Sequence, residues 1–224
     1  MTKKFFRALT LVICLTLVVP FLNTTKAFAA TEPQIIGASA ITMDLETGEI
    51  IYSKNADVQR SPASTTKLLT SLLFAESKSK DDSIPYTEDA AAVKETALQN
   101  FFGNNISVGA TMTADDVMKA VLVYSANDTA VMMADSVAGS VEKFTELMNE
   151  RAKEIGAVNS NFVSPNGLET DPNNHNVTTA YDLALIGKAA YENDWVRETC
   201  ELPKTSVTLD GKKVYIDSRD WCRW

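Results

Sequence analysis

The stretch that most constrains the fold of this chain is a predicted helix that starts at Ser61, with Pro62 at its first helical position. Serine is a favourable N-cap residue and proline suits the first turn, so we place the helix start there. Four leucines give the helix an apolar face, and its polar residues recur at helical spacing as a narrow stripe of Ser64, Lys67 and Ser71. A helix with so little polar surface is expected to be mostly buried.

Ser64 and Lys67 of this helix form a candidate catalytic pair. Ser64 would lie in the first turn, where unpaired backbone N–H groups favour a developing negative charge. Lys67 follows three residues later, so the two side chains share one helix face at roughly 5–6 Å between Cβ atoms. A serine hydroxyl needs a base near neutral pH, and a lysine can be that base where burial lowers the pKa of its amine. The same spacing is also typical of the solvated side of a helix, and Ser77 and Lys80 repeat it in a charged loop.

Ser125 and Asn127 form a second candidate site. They lie between a helix that Thr113 is predicted to cap and a helix predicted from Asp128 to about Ala138. Short polar side chains in a tight connection between two apolar helices can project together into a cleft. The alternative is that Ser125 and Asn127 only cap the second helix.

Other patterns predict a hairpin and two further helices. The β-rich runs 35–43 and 50–52 flank a glycine-containing turn, which indicates an antiparallel hairpin. Helical periodicity predicts a helix over residues 141–155, ended by Gly156, and another over residues 179–191. The chain therefore combines helices with short strands, and it shows no internal repeat or interdomain linker.

Residues 1–29 have the pattern of a secretory signal peptide, with a basic start, an apolar centre and a small-x-small cleavage site. A membrane anchor is the competing interpretation. The apolar run is interrupted by Pro20 and is shorter than the ~18–20 residues that a spanning helix needs, which favours cleavage. We therefore expect an exported protein, extracellular or associated with the cell wall, whose mature domain is residues 30–224.

Charge and cysteine content exclude some functions. Cleavage removes four basic residues and no acidic one, which moves the net charge from −8 to −12 and argues against a nucleic-acid partner. Cys200 and Cys222 remain and can pair in an oxidising compartment. They lack metal-ligand spacing and the chain has a single histidine, His175, so no zinc site is predicted. The sequence indicates no oligomeric state.

Several motifs occur in a characteristic order: Asp44–Gly48 through Tyr52, Asn55–Asp57, Pro62–Lys67, Ser125–Asp128, and Pro165–Leu168 with His175 and Thr178–Ala184. Over roughly residues 38–200 the chain resembles the serine-type D-alanyl-D-alanine carboxypeptidases, the low-molecular-weight penicillin-binding proteins of peptidase family S11. An ordered set of motifs is more specific than either short motif alone, so the resemblance favours the catalytic interpretation of Ser64 and Lys67.

The resemblance implies an α/β (α+β) fold of the serine β-lactamase and transpeptidase type, with an antiparallel sheet packed against a helical cluster and the site between them. It implies that Ser64, helped by Lys67, attacks the terminal D-Ala-D-Ala bond of a peptidoglycan stem peptide. Ser125 would relay a proton towards the leaving D-alanine, and Asn127 would bind the substrate amide and orient the lysine. β-Lactams would inhibit by acylating Ser64. The resemblance implies no metal or organic cofactor.

The chain departs from the family in the third motif, Lys-Thr-Gly. Lys204-Thr205-Ser206 is the nearest string, but it begins what looks like the preceding hairpin, and Ser206 stands where the motif needs glycine. Residues 218–224 match nothing expected of the family, so we expect a C-terminally truncated domain. Two alternatives to a carboxypeptidase stay open: a truncated, non-catalytic fragment that binds cell-wall peptide or β-lactam, and a serine β-lactamase, which the absence of a Glu-x-x-Leu-Asn string argues against.

Overall fold

The structure, a computed structural model, describes residues 33–169 and 171–217, and its elements lie in one unit that begins at Gly37. The strands are β1 (Ala40–Met43), β2 (Ile50–Lys54), β3 (Ser83–Pro85), β4 (Thr111–Thr113), β5 (Lys204–Leu209) and β6 (Lys212–Asp217). The α-helices are α1 (Lys67–Ser77), α2 (Glu88–Ala92), α3 (Ala114–Val123), α4 (Asn127–Ala138), α5 (Val141–Ile155), α6 (Ala180–Glu192) and α7 (Asp194–Cys200), and two 3-10 helices span Ala63–Thr66 and Leu98–Phe102.

Helix α1 lies at the centre of the fold and contributes side chains to both hydrophobic clusters of the protein. Leu69 and Leu73 belong to one cluster, together with Phe144 and Phe162. Phe74 belongs to the other, which also contains residues of α3, α4 and the β5–β6 hairpin. Full burial of a leucine side chain contributes about 1.5–3 kcal/mol, so these contacts fix the helix firmly. The prediction of a mostly buried helix is confirmed.

The predicted start of this helix is wrong. Pro62, and not Ser61, is the N-cap residue, and no side chain caps the turn. Ala63 has a φ of 47°, and a residue in the left-handed region turns the backbone away from a regular helical path. Ser64 therefore lies in the 3-10 helix, which runs directly into α1 at Lys67. The two side chains are still about one turn apart.

The strands form three separate antiparallel pairs, β1–β2, β3–β4 and β5–β6, within the described residues. The predicted first hairpin is confirmed, although its first strand begins only at Ala40 and contains a register shift between Thr42 and Met43. The β5–β6 hairpin predicted after Leu202 is also present, with Lys204 opposite Asp217. Helices pack against each pair, so the predicted sheet is present as three separate antiparallel pairs around a helical cluster.

Local sequence signals placed most helices correctly. The Thr113 hydroxyl accepts a hydrogen bond from the Asp116 N–H at 3.1 Å and caps α3, as predicted. The Thr179 hydroxyl accepts from the Asp182 N–H at 3.0 Å and caps α6 in the same way. Helix α5 has the predicted bounds and ends before Gly156.

Three predictions concern residues outside the described ranges: the signal peptide over residues 1–29, the unusual C-terminal segment 218–224, and the pairing of Cys200 with Cys222. Cys200 itself is an exposed residue at the end of α7 and is not part of a disulfide with any described residue. In the described ranges, no helix combines the length and the apolar character that crossing a membrane requires.

Candidate active site

The side chain of Lys67 is the centre of the candidate site. Only 2% of the residue is exposed. Its Nζ lies 3.1 Å from the Ser64 Oγ, 2.7 Å from the Asn127 Oδ1 and 2.8 Å from the backbone oxygen of Asn166. Three distant parts of the chain therefore meet at one amine: the segment at residues 64–67, the first residue of α4, and the loop before α6.

The neighbours of Lys67 allow its amine to act as a base. Burial lowers the pKa of Lys67 to about 7, and none of the ion pairs among described residues involves it. The oxygens of Asn127 and Asn166 are carbonyl acceptors, so each fixes one N–H of the amine. In the uncharged form the lone pair is then left for the Ser64 hydroxyl, which can donate its proton along this contact.

Asn127 faces Lys67 with its side-chain oxygen because its side-chain NH2 group and its backbone N–H are bound elsewhere. Its Nδ2 donates to the Glu95 carbonyl at 2.7 Å, and its backbone N–H donates to the Thr96 carbonyl at 2.9 Å. Ala126 is the N-cap residue of α4 and no side chain caps the helix. The alternative that Ser125 and Asn127 serve only as caps is therefore wrong.

Ser125 lies in the turn between α3 and α4, two residues before Asn127 in the chain. Its φ of 65° places it in the left-handed region, which serine rarely adopts and which stores about 1–3 kcal/mol of strain. The residue is partly exposed, and its hydroxyl makes no hydrogen bond to any described residue. The structure therefore joins Ser64, Lys67 and Asn127 by hydrogen bonds, and it shows no hydrogen bond from the Ser125 hydroxyl to any of these three residues.

The loop that supplies the Asn166 carbonyl packs directly against the 3-10 helix. Gly167 has a φ of +79°, and a Cβ on it would lie 1.9 Å from the Ala63 carbonyl oxygen. The Thr70 hydroxyl donates to the Pro165 carbonyl at 2.6 Å and ties the same loop to α1. The sequence motif around Pro165 was recognised, but its contribution of a backbone acceptor to Lys67 was not predicted.

Asn176, and not its neighbour His175, orders the adjoining loop. Asn176 is buried, its Oδ1 accepts from the N–H groups of Val163 and Ser164, and its Nδ2 donates to the Thr66 hydroxyl at 3.1 Å. The Nδ1 of His175 is buried without a hydrogen-bond partner among the described residues. The hydrogen bonds that order this loop therefore come from Asn176.

Lys204 does not take part in the site. It is an exposed residue at the start of β5, where it pairs in register with Asp217 of β6. No hydrogen bond or ion pair found among the described residues connects it to Ser64, Lys67 or Asn127. This placement agrees with the interpretation that Lys204-Thr205-Ser206 begins a hairpin and is not the third family motif.

Comparison with known proteins extends over most of the chain. The sequence model of peptidase family S11, D-alanyl-D-alanine carboxypeptidase, matches residues 26–217. D-alanyl-D-alanine carboxypeptidase DacF of Bacillus subtilis (strain 168) is 34% identical over 155 residues, which cover 67% of this chain and 38% of that protein. D-alanyl-D-alanine carboxypeptidase DacC of Escherichia coli (strain K12) is 34% identical over 178 residues, or 75% of this chain and 44% of that protein.

Solved structures of penicillin-binding proteins share the fold. Penicillin-binding protein D2 from Listeria monocytogenes, in its ampicillin-bound form, superposes with a TM-score of 0.71 and 27% identity over 83% of this chain and 74% of that chain. The predicted transpeptidase-like fold is thus confirmed. This chain spans about two-fifths of the length of the curated relatives it matches. By its sequence match, its motifs and its fold, the chain belongs to the D-alanyl-D-alanine carboxypeptidases of peptidase family S11.

Proposed function

We propose that this chain is an exported serine-type D-alanyl-D-alanine carboxypeptidase that removes the terminal D-alanine from peptidoglycan stem peptides. Membership of the family supplies the reaction class. The observation that carries the proposal is the contact of 3.1 Å between the Lys67 Nζ and the Ser64 Oγ, in surroundings that lower the pKa of the amine to about 7. This contact supports Ser64 as the nucleophile and Lys67 as its base.

The proposed reaction has two steps. The uncharged Lys67 amine takes the Ser64 proton while the Oγ attacks the carbonyl between the two D-alanines. Backbone N–H groups in the first turn of a helix have no intrahelical acceptor. The N–H of Ser64 can therefore stabilise the oxyanion. The proton passes through the Ser125 hydroxyl to the leaving D-alanine amine, with Asn127 binding the substrate amide. Water then hydrolyses the ester and restores the serine.

The same serine is proposed to react with β-lactams. Attack on the strained amide opens the ring, and the acyl group stays on Ser64 with no fragment leaving. A structural relative with an ampicillin-bound form supports this part of the proposal. Export rests on the pattern of residues 1–29, and an N-terminal sequence beginning at Ala30 on protein recovered outside the cytoplasm would support it.

The test of the proposal is the intact mass of the purified chain after incubation with excess benzylpenicillin. We expect a gain of one benzylpenicillin per chain, lost in Ser64→Ala. The matched control is Ser77→Ala, because Ser77 repeats the serine–lysine spacing but donates its hydroxyl to the Leu73 carbonyl at the end of α1. That variant should be acylated like the wild type.

A second measurement addresses the peptidase reaction itself. Release of D-alanine from a diacetylated L-Lys-D-Ala-D-Ala tripeptide should depend on Ser64 and stop when penicillin occupies it. Acylation without D-alanine release would reduce the assignment to a penicillin-binding domain. A folded wild-type chain with no adduct at all would contradict the enzyme proposal and favour the non-catalytic fragment.

A further inference from the structure

Asp128, the residue after Asn127, carries a carboxylate that the proposed reaction does not use. It is completely buried, and none of the ion pairs among the described residues includes it. Neutral donors surround it instead: the N–H groups of Leu98 at 2.7 Å, Thr129 at 2.9 Å and Gln99 at 3.0 Å, and the Tyr86 hydroxyl at 3.1 Å. Burial raises the pKa of Asp128, and a carboxyl group is costly to bury unless donors of this kind satisfy it, so the four contacts tie Asp128 firmly to its surroundings.

Two of the four donors to Asp128, the N–H groups of Leu98 and Gln99, belong to residues 95–99, which we call the 95–99 segment. Asp128 binds the backbone at the end of this segment, and Asn127 binds the carbonyls of Glu95 and Thr96 at its beginning. Thr96 has a φ of 45°, which an L-residue avoids unless surrounding contacts impose it. Two adjacent residues of α4 therefore hold a strained segment at both ends.

The position of the 95–99 segment decides how Asn127 meets Lys67. Since the Asn127 Nδ2 donates to the Glu95 carbonyl, its Oδ1 is the amide atom that faces the Lys67 Nζ. If the Glu95 carbonyl moved away, the amide would lose the contact that fixes its orientation. Asn127 would then neither hold an N–H of the amine nor cover it from water on that side.

We propose that Asp128 is a positioning residue: through the backbone of the 95–99 segment it fixes the Asn127 amide, and thereby the buried, serine-directed amine of Lys67. The inference deepens the proposed function and rests on it for its catalytic meaning. Asp128 touches neither Ser64 nor Lys67, so it acts only through Asn127 and the segment.

The informative variant is Asp128→Asn, which keeps the shape of the side chain but replaces one acceptor oxygen by a donor. The new amide NH2 group then faces at least one donor that the carboxylate used to accept from. That donor is an N–H of the 95–99 segment or of Thr129, or the Tyr86 hydroxyl. The direction of the change in the Lys67 pKa separates two explanations. Loss of a nearby negative charge would lower that pKa further, whereas release of Asn127 admits water and raises it towards its usual value.

The measurement is an NMR titration of the chain labelled with 13C-lysine, in which the Lys67 signal is identified by its loss in Lys67→Met. We expect a Lys67 pKa of about 7 in the wild type. In Asp128→Asn it should rise by at least about one pH unit, which lowers the uncharged fraction at pH 7 from about one half to about one tenth and so cuts acylation by benzylpenicillin about fivefold. This deficit should shrink above about pH 9, because the amine becomes uncharged in the variant also.

Asp135→Asn is the matched control. Asp135 lies two turns further along α4. It is only partly buried, but burial raises its pKa as it raises that of Asp128. It accepts a hydrogen bond from the Thr87 hydroxyl, two turns along the helix from Asn127, which contacts Lys67. This variant should leave the Lys67 pKa unchanged. An equal shift in both variants would show a general loosening of α4 and overturn the proposal, as would an unchanged or lowered pKa in Asp128→Asn.

Two further outcomes are also decisive. If Asp128→Asn does not fold, Tyr86→Phe removes one donor and leaves the carboxylate; a smaller rise in the Lys67 pKa supports the proposal and no rise overturns it. If the wild type is not acylated but the titration behaves as expected, the positioning role stands and the proposed enzymatic function fails.

Discussion

Replacing Gly167 by alanine tests how the site is assembled from its backbone. The added Cβ would lie 1.9 Å from the Ala63 oxygen and 2.5 Å from its carbonyl carbon, and ordinary contact begins at 3.4 Å. Both neighbours are backbone atoms, so the loop or the 3-10 helix must move by about 1.5 Å. The Asn166 carbonyl would then leave hydrogen-bonding distance of the Lys67 Nζ, which is now 2.8 Å.

Two effects lower the stability of the Gly167→Ala variant. Alanine in the left-handed region costs about 1–2 kcal/mol, and the lost hydrogen bond to the buried amine costs about 1–3 kcal/mol. We therefore expect the free energy of unfolding in urea to fall by roughly 3 kcal/mol. Acylation by benzylpenicillin should slow by about 100-fold, since misplacement by about 1 Å has that typical effect.

Gly139→Ala provides the matched control for this prediction. Gly139 has almost the same φ, +80°, but a Cβ there meets nothing within 4 Å. The Gly139→Ala variant should lose about 1–2 kcal/mol of its free energy of unfolding, which is the conformational cost alone, and should be acylated at the wild-type rate. Equal losses of stability in the two variants, with acylation intact in Gly167→Ala, would refute the idea that close backbone contact assembles the site.

Two other predictions follow from the fold and from the electrostatics of the site. Because protonation of Lys67 removes the base and its pKa is lowered to about 7, acylation should fall about tenfold for each pH unit below that value. A rate unchanged between pH 7 and pH 5, measured by mass spectrometry at short times, would contradict this assignment. Leu69→Ala removes a fully buried side chain of α1 and should lower the free energy of unfolding by about 2–5 kcal/mol in urea denaturation. A loss below about 1 kcal/mol would mean that α1 is not the centre of the core.

Features encoded in neighbouring residues were predictable from the sequence. The spacing of Ser64 and Lys67, the Thr113 cap and the bounds of α5 each depend on a few adjacent side chains, and the structure reproduces these local features. The assembly of Lys67 with Asn127, 60 residues away in sequence, was expected only through the family resemblance. Periodicity gives no information about which helices meet.

What the sequence did not show depends on backbone atoms and on contacts between distant segments. The carbonyls of Asn166 and Glu95 are decisive acceptors, yet every residue type has a carbonyl, so no pattern marks them. The left-handed conformation of Ala63 accompanies its contact with Gly167, more than 100 residues later, and contradicts the helix start that Ser61 and Pro62 suggest. Asp128 looks like an ordinary residue of a helical first turn, and only the fold reveals its burial.

The position of α1 between two hydrophobic clusters separates two kinds of change in this protein. Lys67 begins α1 and Ser64 lies in the 3-10 helix that leads into it, so a shift of α1 within the core would move both residues. The oxygens that hold the amine depend on loop segments outside α1: Asn166 supplies one from its backbone, and the Glu95 carbonyl orients the Asn127 amide that supplies the other. Substitution in these loops can therefore adjust reactivity over evolutionary time while the nucleophile and its scaffold stay constant.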